Sequence, residues 1–405
     1  MELSIQRNTF LAGVQRILGI VEKRTILPIL NNVLIRTRGK QIRIIATDRE
    51  ISLIADYDAE IMVEGDITLS ARKLYEMIRE IQGDVIHFKK DECNIVTITS
   101  GKVVYKIPGV SADDFPSIGD DLDVGLFRIE RNVLYELIRK TFSAMSTDEM
   151  KKSLNGVFFE VEKKFTPTTT EEEPTLTQEG ACPDAGRDGG VYVARMVATD
   201  GFRLAVATSS PFTIHHSPTM DNGIIIPRKG VVEIRRLIED ETDDIMIGVG
   251  RGACIFRTGS ATLKVGLVDD EYPDYRRIIP VDAGEACPDV GRVVCFNKDT
   301  LLPALKRMSV VSSEGYDGVI IKLMEDMMIL NLSNPDIGEA NEEVEVSYKG
   351  REVEVGYSVN FLIDGIDVID EDTATFDVGV GVKPGIIKPA SNDYYICAVM
   401  PLIFK

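Results

Sequence analysis

The amino-acid sequence predicts an α+β fold of three repeated domains, each with two helices packed on antiparallel sheet. The chain has 405 residues, which corresponds to roughly 2.7 domains at about 150 residues per domain. Short motifs recur along it in a constant order, as expected of an internal repeat. In each copy, segments with helical spacing of apolar residues alternate with short β-branched segments. The pattern therefore predicts strand, helix, several strands, helix and several strands.

The internal repeat rests on motifs that keep the same order in each copy. Ile5 to Asn8 recurs at Ile129 to Asn132, and Phe296 to Thr300 aligns with Ile5 to Thr9. Further pairs link the first copy to the second: Ala46 to Asp48 with Ala198 to Asp200, Ser70 to Lys73 with Ile226 to Lys229, and Asp113 to Pro116 with Asp270 to Pro273. A single match could arise by chance, but the shared order indicates triplication.

Each copy is predicted to hold two helices. The first helix of the first copy runs from about Thr9 to Ile20, because its apolar residues recur at helical spacing. Its equivalents start near Val133 and Asp299, the latter behind Asn297 as N-cap. The second helices follow Ser70 as N-cap in the first copy, and begin near Arg228 and Val359 in the others. Short β-branched runs such as 33–36 and 95–98 predict the strands.

The predicted domains span residues 1–122, 126–281 and 292–405. The second is longer because of residues 164–190, a Thr-, Pro-, Glu- and Gly-containing stretch that predicts a flexible hairpin extension. Ala181 to Arg187 is nearly repeated at Ala286 to Arg292, and we have no physical explanation for that repetition.

Composition excludes several classes of protein. The net charge of −19, from 46 basic and 65 acidic residues, disfavours non-specific adhesion to nucleic acid unless the cations share one face. No apolar run approaches the ~18 residues of a membrane span, and the first residues do not resemble a signal peptide. The six scattered cysteines and three histidines favour reduced cytosolic thiols over a metal site. We therefore expect a cytoplasmic protein with no metal, no cofactor and no membrane partner.

The sequence contains no strong motif of an enzyme active site. No phosphate-binding loop or nucleophile elbow is present, and the glycine cluster at 248–252 predicts a hairpin turn. His215 and His216 lie in a Ser- and Pro-rich loop without a ligand pattern. Asp48 and Asp200 could form a carboxylate pair for acid–base work. Because they occupy equivalent repeat positions after strand-like runs, a shared role in a turn explains them better.

Basic residues cluster on the predicted helices. All but the sixth helix carry them, while acidic residues concentrate in segments such as 171–173 and 339–345. One interpretation is ordinary solvated helix faces. The other is a shared basic surface that binds phosphates without reading bases.

Several motifs together resemble the bacterial replicative sliding clamps, the β subunits of DNA polymerase III. They are Leu27 to Asn32, Ser153 to Gly156, Ala198 to Leu204, Ile226 to Gly230, Tyr272 to Arg277 and Val399 to Leu402. The resemblance covers nearly the whole chain except 164–190 and part of the second linker. It implies the DNA clamp fold, in which a head-to-tail homodimer closes into a six-domain ring.

The resemblance also implies a function. The ring would encircle double-stranded DNA, slide on it without sequence specificity and act as a processivity factor without catalytic activity. Implied partners are the DNA polymerase III core, the clamp loader complex, and other polymerases and repair factors that carry clamp-binding peptides. The implied DNA-binding residues are Arg24, Arg72, Lys73, Arg228 and Lys229.

A peptide-binding pocket between the second and third domains is a further implication. Its residues would be Leu154, Thr199, Gly201, Phe202, Arg203, Leu204, Pro273, Arg277, Ile278, Val359, Asn360, Val399, Met400, Pro401 and Leu402. Apolar members would hold apolar anchors, and the two arginines would pair with acidic or carbonyl groups of the peptide. Phe202 and the last residues, 403–405, depart from the family pattern.

The dimer interface is expected between the first domain and the partner's third domain. The strand around Tyr105 would pair across it, with two lysines facing the acidic segment 339–345. The expected interface residues are Met77, Ile81, Lys102, Tyr105, Lys106, Ile107, Val310, Val311, Glu342 and Glu343. Two other hypotheses stay open from the residues alone: an enzyme that uses Asp48 or Asp200, and a peptide-binding scaffold that never touches DNA.

Overall fold

A computed structural model describes residues 1–21, 27–118, 125–164, 190–214, 223–240, 242–279, 292–379 and 381–403. Arg24, the His215–His216 pair, nearly all of the 164–190 extension and most of the second linker lie outside these residues. The chain forms two compact units. The first unit comprises Met1–Arg131 and Lys229–Leu267, and the second comprises Asn132–Arg228 and Val268–Lys405.

Six predicted helices are present in the described residues. They are α1 (Arg7–Ile17), α2 (Ala71–Glu80), α3 (Arg131–Thr141), α4 (Arg228–Asp240), α5 (Lys298–Ser309) and α6 (Val359–Asp367). The cap prediction at Asn297 is confirmed, because its side chain accepts the N–H of Asp299 at 2.8 Å. Ser70 occupies the predicted N-cap position of α2 but makes no side-chain cap bond there.

The strands alternate with these helices. The strands up to α3 are β1 (Glu2–Gln6), β2 (Asn32–Arg38), β3 (Gln41–Thr47), β4 (Ile51–Asp58), β5 (Glu60–Val63), β6 (Asp66–Ser70), β7 (Val85–Lys90), β8 (Ile95–Ser100), β9 (Val103–Pro108) and β10 (Leu126–Ile129). Those from α3 to α5 are β11 (Gly156–Lys163), β12 (Gly190–Thr199), β13 (Arg203–Thr208), β14 (Phe212–Ile214), β15 (Ile224–Pro227), β16 (Ile245–Gly250), β17 (Ala253–Arg257), β18 (Ala261–Gly266) and β19 (Val293–Asn297). The remaining strands are β20 (Gly318–Met324), β21 (Met327–Asn334), β22 (Gly338–Glu345), β23 (Val353–Ser358), β24 (Thr373–Asp377), β25 (Gly385–Pro389) and β26 (Tyr395–Val399).

The first unit holds two antiparallel sheets. The larger has the strand order β10-β16-β17-β18-β4-β3-β2-β6, and the smaller has the order β5-β1-β7-β8-β9. The helices cover apolar faces of these sheets: in α1, Phe10, Val14 and Ile17 are buried, and the Phe10 ring meets Phe88 of β7 edge-on at 6.4 Å. The helical spacing of these side chains thus produces the predicted helix-on-sheet packing.

The second unit repeats the larger sheet strand for strand. Its main sheet has the order β19-β24-β25-β26-β13-β12-β11-β15, with β14 added beside β12. β19 runs directly into α5 as β10 runs into α3, and β15 runs into α4 as β6 runs into α2. A smaller sheet has the order β22-β21-β20-β23.

The two smaller sheets correspond to the two halves of the larger ones. The β1-β7-β8-β9 part of the first unit matches β10-β16-β17-β18, because β1 also leads into a first helix. The β22-β21-β20-β23 sheet of the second unit matches β4-β3-β2-β6, because β23 leads into α6. Consequently β9 and β22 are edge strands of their sheets, although their counterparts β18 and β4 pair with each other.

The compact units do not coincide with the predicted domains. The larger sheet of the first unit takes β10 and β16 to β18 from the predicted second domain, because strand pairing continues from one repeat to the next. The three-domain division stays a prediction. In the described ranges, no helix is long and apolar enough to cross a membrane, and no three His, Cys, Asp or Glu side chains gather as metal ligands.

Candidate functional site

A tight turn between β12 and β13 forms the centre of the predicted pocket. Thr199 Oγ1 donates to the carbonyl of Arg203 at 2.5 Å and accepts the N–H of Gly201 at 3.1 Å. Asp200 Oδ1 accepts the N–H groups of Phe202 and Arg203 at 2.9 and 3.0 Å. Gly201 has φ of +97°, a conformation that favours glycine. The turn therefore projects Phe202 outward, and 62% of that residue is exposed.

Asp48 occupies the same place in the corresponding turn of the first unit. Its Oδ1 accepts the N–H groups of Glu50 and Ile51 at 2.9 and 2.6 Å. The predicted shared turn role of Asp48 and Asp200 is therefore confirmed.

Arg203 is held by internal partners and differs in this from the prediction. Its Nε bonds Asp200 at 3.0 Å, Nη1 bonds Asp364 of α6 at 2.5 Å, and Nη2 donates to the carbonyl of Ser143 at 2.5 Å. The guanidinium lies 4.3 Å from the centre of the Phe361 ring. Since only 12% of the side chain is exposed, Arg203 supports the turn from behind, and the expectation that it pairs directly with a peptide needs correction.

Other predicted pocket residues are buried as well. Leu204, Val359 and Val399 are core residues, and Thr199 is buried by its turn contacts. These side chains support the wall of the predicted pocket from inside the protein, and they present almost no surface to a ligand. Leu154 is half-buried, and its loop is close to the turn because the ammonium of Lys151 lies 5.9 Å from the centre of the Phe202 ring.

The exposed members come from three segments of the second unit. Met400 is joined to the turn, since its N–H donates to the carbonyl of Phe202 at 2.9 Å, and the N–H of Leu402 donates to Gly356 at 2.7 Å. We call the set of exposed apolar residues the apolar surface; it consists of Phe202, Pro273, Ile278, Met400 and Leu402. Asn360 and Arg277 are also exposed, and Pro401 is half-buried.

A buried polar network, which sequence reasoning missed, fixes the segment that carries Pro273 and Ile278. Glu160 of β11 accepts a hydrogen bond from Tyr275 at 2.6 Å and ion-pairs with Arg195 and Arg276 at 2.8 and 2.9 Å. Burial raises the pKa of Tyr275 to about 12. Tyr272 stacks on Phe158 at 5.2 Å between ring centres. Two glutamates at alternate positions of β11, Glu160 and Glu162, were the only available signal.

The predicted DNA-binding residues are less free than expected. Arg72 and Lys73 are exposed on α2, where Lys73 pairs with Glu76 at 2.8 Å. Arg228 stacks on Phe142 at 5.0 Å and Lys229 ion-pairs with Asp48. These two therefore hold local structure as well.

Several other helix cations also have carboxylate partners within their own unit. The pairs are Arg16 with Asp240 at 3.3 Å, Lys140 with Asp370 at 3.0 Å, Arg235 with Glu239 at 2.9 Å and Lys306 with Asp367 at 2.9 Å. The helices thus carry less uncompensated positive charge than the sequence suggested.

The predicted interface residues divide into exposed and buried sets. Lys102, Lys106, Val310 and Glu343 are exposed, and Met77, Tyr105, Val311 and Glu342 are half-buried. Ile81 and Ile107 are only 1% and 5% exposed, because both already pack in the core of the first unit. They therefore present almost no surface of the single chain to a partner, and their place in the interface stays a prediction. Glu342 bonds Arg307 of α5 at 2.9 Å, on the face of β22 opposite Glu343.

Comparisons with known proteins agree with this architecture. Family models for the DNA polymerase III beta subunit match residues 1–119 (N-terminal domain), 190–274 (central domain) and 287–403 (C-terminal domain). The beta sliding clamps of Pseudomonas aeruginosa and Caulobacter vibrioides are each 30% identical over 99% of this chain and 100% of their own length.

Solved structures give the same result. A Caulobacter crescentus beta sliding clamp matches with a TM-score of 0.85 and 28% identity, over 100% of this chain and 99% of that one. A Bartonella birtlesii sliding clamp bound to griselimycin matches with a TM-score of 0.85 and 27% identity over all of both chains. The chain therefore belongs to the beta sliding clamps, the β subunits of DNA polymerase III, and is a processivity clamp of DNA replication.

Proposed function

We propose that two copies of this chain join head to tail into a ring of six domains that encircles duplex DNA. The polymerase III core, the clamp loader and other peptide-bearing partners would bind the apolar surface of the second unit. The ring would act without catalysis of its own; Asp48 and Asp200, the two carboxylates considered for acid–base work, are both engaged in turns. It acts where the bacterial chromosome is copied, in the cytoplasm.

Ring closure is supported by the two smaller sheets, each of which lacks half of the strand order seen in the larger sheets. Among the strands that the structure describes, none pairs with the outer edge of β9, where its counterpart β18 pairs with β4, and none pairs with the outer edge of β22, where its counterpart β4 pairs with β18. If β9 of one copy pairs with β22 of the next, an eight-stranded sheet of the recurring topology results. The contact joins two different surfaces, so it closes into a ring only when the rotation between copies permits closure.

The repeat also predicts the register of this pairing. In the first unit, Leu263 of β18 pairs with Leu53 of β4, and Lys264 pairs with Ser52. Tracing the ladders from the shared motifs makes Tyr105 equivalent to Leu263 and Ala340 equivalent to Leu53. The expected opposing pairs are Tyr105 with the partner's Ala340, Lys106 with the partner's Glu339, and Lys102 with the partner's Glu343.

This register places opposite charges together and supports the proposal. Lys102, in the turn directly before β9, and Lys106 of β9 are an even number of positions apart, as are Glu339 and Glu343 of β22, so we expect each pair on one face of its strand. Opposite charges directly across antiparallel strands are stabilising, whereas like charges are destabilising. The pairs contribute mainly orientation, since exposed ion pairs are worth about 0–1 kcal/mol each.

Enclosure also fits the electrostatics. The chain has a net charge of −19 and many helix cations are paired, so contact with phosphates supplies little affinity. A ring held on DNA by its closed shape needs little affinity to persist.

Retention on DNA of different topology tests the proposal. Rings loaded on a closed circle should remain through a high-salt wash and should be lost after the circle is cut, because only a closed path holds them. Arg72→Glu with Lys73→Glu should reduce loading, whereas Lys40→Glu, an exposed control, should not. Tight, sequence-specific binding to a short linear duplex would contradict the ring.

A further inference from the structure

The first unit contains a second groove built on the same frame as the apolar surface. The groove has a volume of about 480 Å³ and is lined by the turn between β3 and β4, by the 116–118 segment, by the β16–β17 hairpin and by β18. All four segments belong to the first unit. We call it the cationic groove; its charged residues are Arg49, Glu50, Arg251 and Lys264.

Three hydrogen bonds recur in both frames, and the first frame has one more, between Thr47 Oγ1 and the Ser52 hydroxyl at 2.7 Å. Thr47 Oγ1 donates to the carbonyl of Ile51 at 3.0 Å and accepts the N–H of Arg49 at 3.0 Å, as Thr199 does in its own turn. The N–H of Gly266 donates to the carbonyl of Glu50 at 2.7 Å, where Met400 donates to Phe202. Pro116 takes the place of Pro273 in the paired linker motifs.

The side chains on this frame are of a different chemical class. Arg49 stands where the second unit has Gly201, Glu50 where it has Phe202, and Lys264 where it has Ala398. Arg251 adds a third cation from the β16–β17 hairpin. The groove lining thus carries three cations and one carboxylate, with the hydroxyls of Ser52 and Ser117, and two apolar anchors are lost from it: Glu50 replaces Phe202 and Gly266 replaces Met400.

The replacement of glycine by Arg49 puts a residue with a side chain in a backbone conformation that favours glycine. Its φ is +83°, in the left-handed region where glycine serves the equivalent turn and other residues are disfavoured. The Arg49 side chain is exposed at the mouth of the groove. An arginine kept at a strained position beside two other cations suits recognition of carboxylates, which a guanidinium can bind in a bidentate manner.

We propose that the cationic groove binds an extended, acidic peptide segment of a partner protein. A volume of about 480 Å³ suits a short segment, as ligand clefts typically measure about 300–1,000 Å³. The carboxylate of Glu50 among these cations favours a peptide with spaced carboxylates over a continuous phosphate backbone. This proposal concerns residues of the first unit only, so its test is independent of whether peptides bind the apolar surface.

Fluorescence anisotropy with the full-length protein tests the proposal. The probe is a labelled short peptide of alternating aspartate and serine, and the control probe carries asparagine instead. We expect salt-sensitive binding of the acidic probe only. Arg49→Gly and Arg251→Gln should each weaken it by about tenfold or more, since each removes a charge-assisted contact. Arg38→Ser, at an exposed position of β2 outside the groove lining, should leave it unchanged.

The two variants protect the test against misfolding. Arg49→Gly installs the residue that the equivalent turn already uses, and Arg251→Gln changes an exposed hairpin residue. Equal affinity in wild type and both variants, or equal weakening by Arg38→Ser, would overturn the proposal. So would displacement of the probe by a short single-stranded oligonucleotide, which would indicate a nucleic-acid contact. Displacement by a peptide bound at the apolar surface would also overturn it, because both probes would then share one site.

Discussion

Nη1 of Arg203 lies 2.5 Å from Oδ2 of Asp364, so one ion pair joins the turn that carries Phe202 to helix α6. Arg203→Ala should lower the free energy of unfolding by about 1–3 kcal/mol, because three acceptors, on Asp200, Asp364 and Ser143, each lose a hydrogen bond. It should also weaken binding of a polymerase-derived peptide by loosening the wall. Arg277→Ala is the matched control: 84% of that side chain is exposed, and stability should change by less than about 0.5 kcal/mol. Equal losses in denaturant titrations would contradict the supporting role.

Glu160 and Glu162 form a second matched pair. Glu160→Gln should destabilise by about 1–3 kcal/mol, because the buried carboxylate that pairs with Arg195 and Arg276 loses its charge while both arginines keep Glu162. Glu162→Gln, at a half-exposed position with the same arginines, should cost no more than about 1 kcal/mol. Urea unfolding of both variants measures the difference. Comparable midpoints would show that the network does not fix the Tyr275 segment.

The apolar surface can be altered without breaking its backbone bonds. Met400→Ala with Leu402→Ala keeps the N–H groups that bond Phe202 and Gly356, so the fold should be retained. Each lost anchor removes part of the roughly 1.5–3 kcal/mol that a buried apolar side chain contributes. A peptide bound at about −8 kcal/mol, which is micromolar, should weaken at least several-fold in anisotropy measurements. Val382→Ala, an exposed position of the same unit, should have no effect; unchanged affinity in the double variant would place the peptide elsewhere.

Charge exchange tests the pairing of β9 with β22. Lys102→Glu with Lys106→Glu should shift the protein toward monomers at low concentration, measured by light scattering, because like charges then oppose each other. Adding Glu339→Lys and Glu343→Lys should restore the dimer. Lys40→Glu serves as the charge control. Failure of the second pair of changes to restore association would rule out the proposed register.

Acid should weaken the second unit through Asp370. Burial would raise the pKa of this carboxyl, but Lys140 and Arg139 outweigh it, so the pKa is lowered. A carboxyl with a lowered folded pKa stabilises above its unfolded value of about 3.9 and loses that contribution as the pH falls through the folded pKa. Wild type should therefore exceed Asp370→Asn in stability at neutral pH, and the gap should close in strong acid. A gap independent of pH, or an equal one in the exposed control Asp269→Asn, would exclude this linkage.

The helices and the turn carboxylates could be predicted from the sequence, because apolar spacing and repeated motifs are local signals. The ion pair of Arg203 with Asp364 could not, since Asp364 lies 161 positions away and no local pattern connects the two residues. For the same reason, Ile81 and Ile107 were expected at an interface although both fill the core. The alternation of apolar and polar residues in β9 predicts that the strand has two different faces. It does not show which of the two faces is already buried in the core of the first unit.

The edge strands β9 and β22 have a consequence for solubility. An uncovered strand edge is a template for aggregation, and natural proteins protect such edges with charged side chains. Here each edge carries one sign only, lysine on β9 and glutamate on β22. Two β9 edges repel each other, as do two β22 edges, while the unlike edges attract. This distribution of charge disfavours the stacking of identical edges into fibrils.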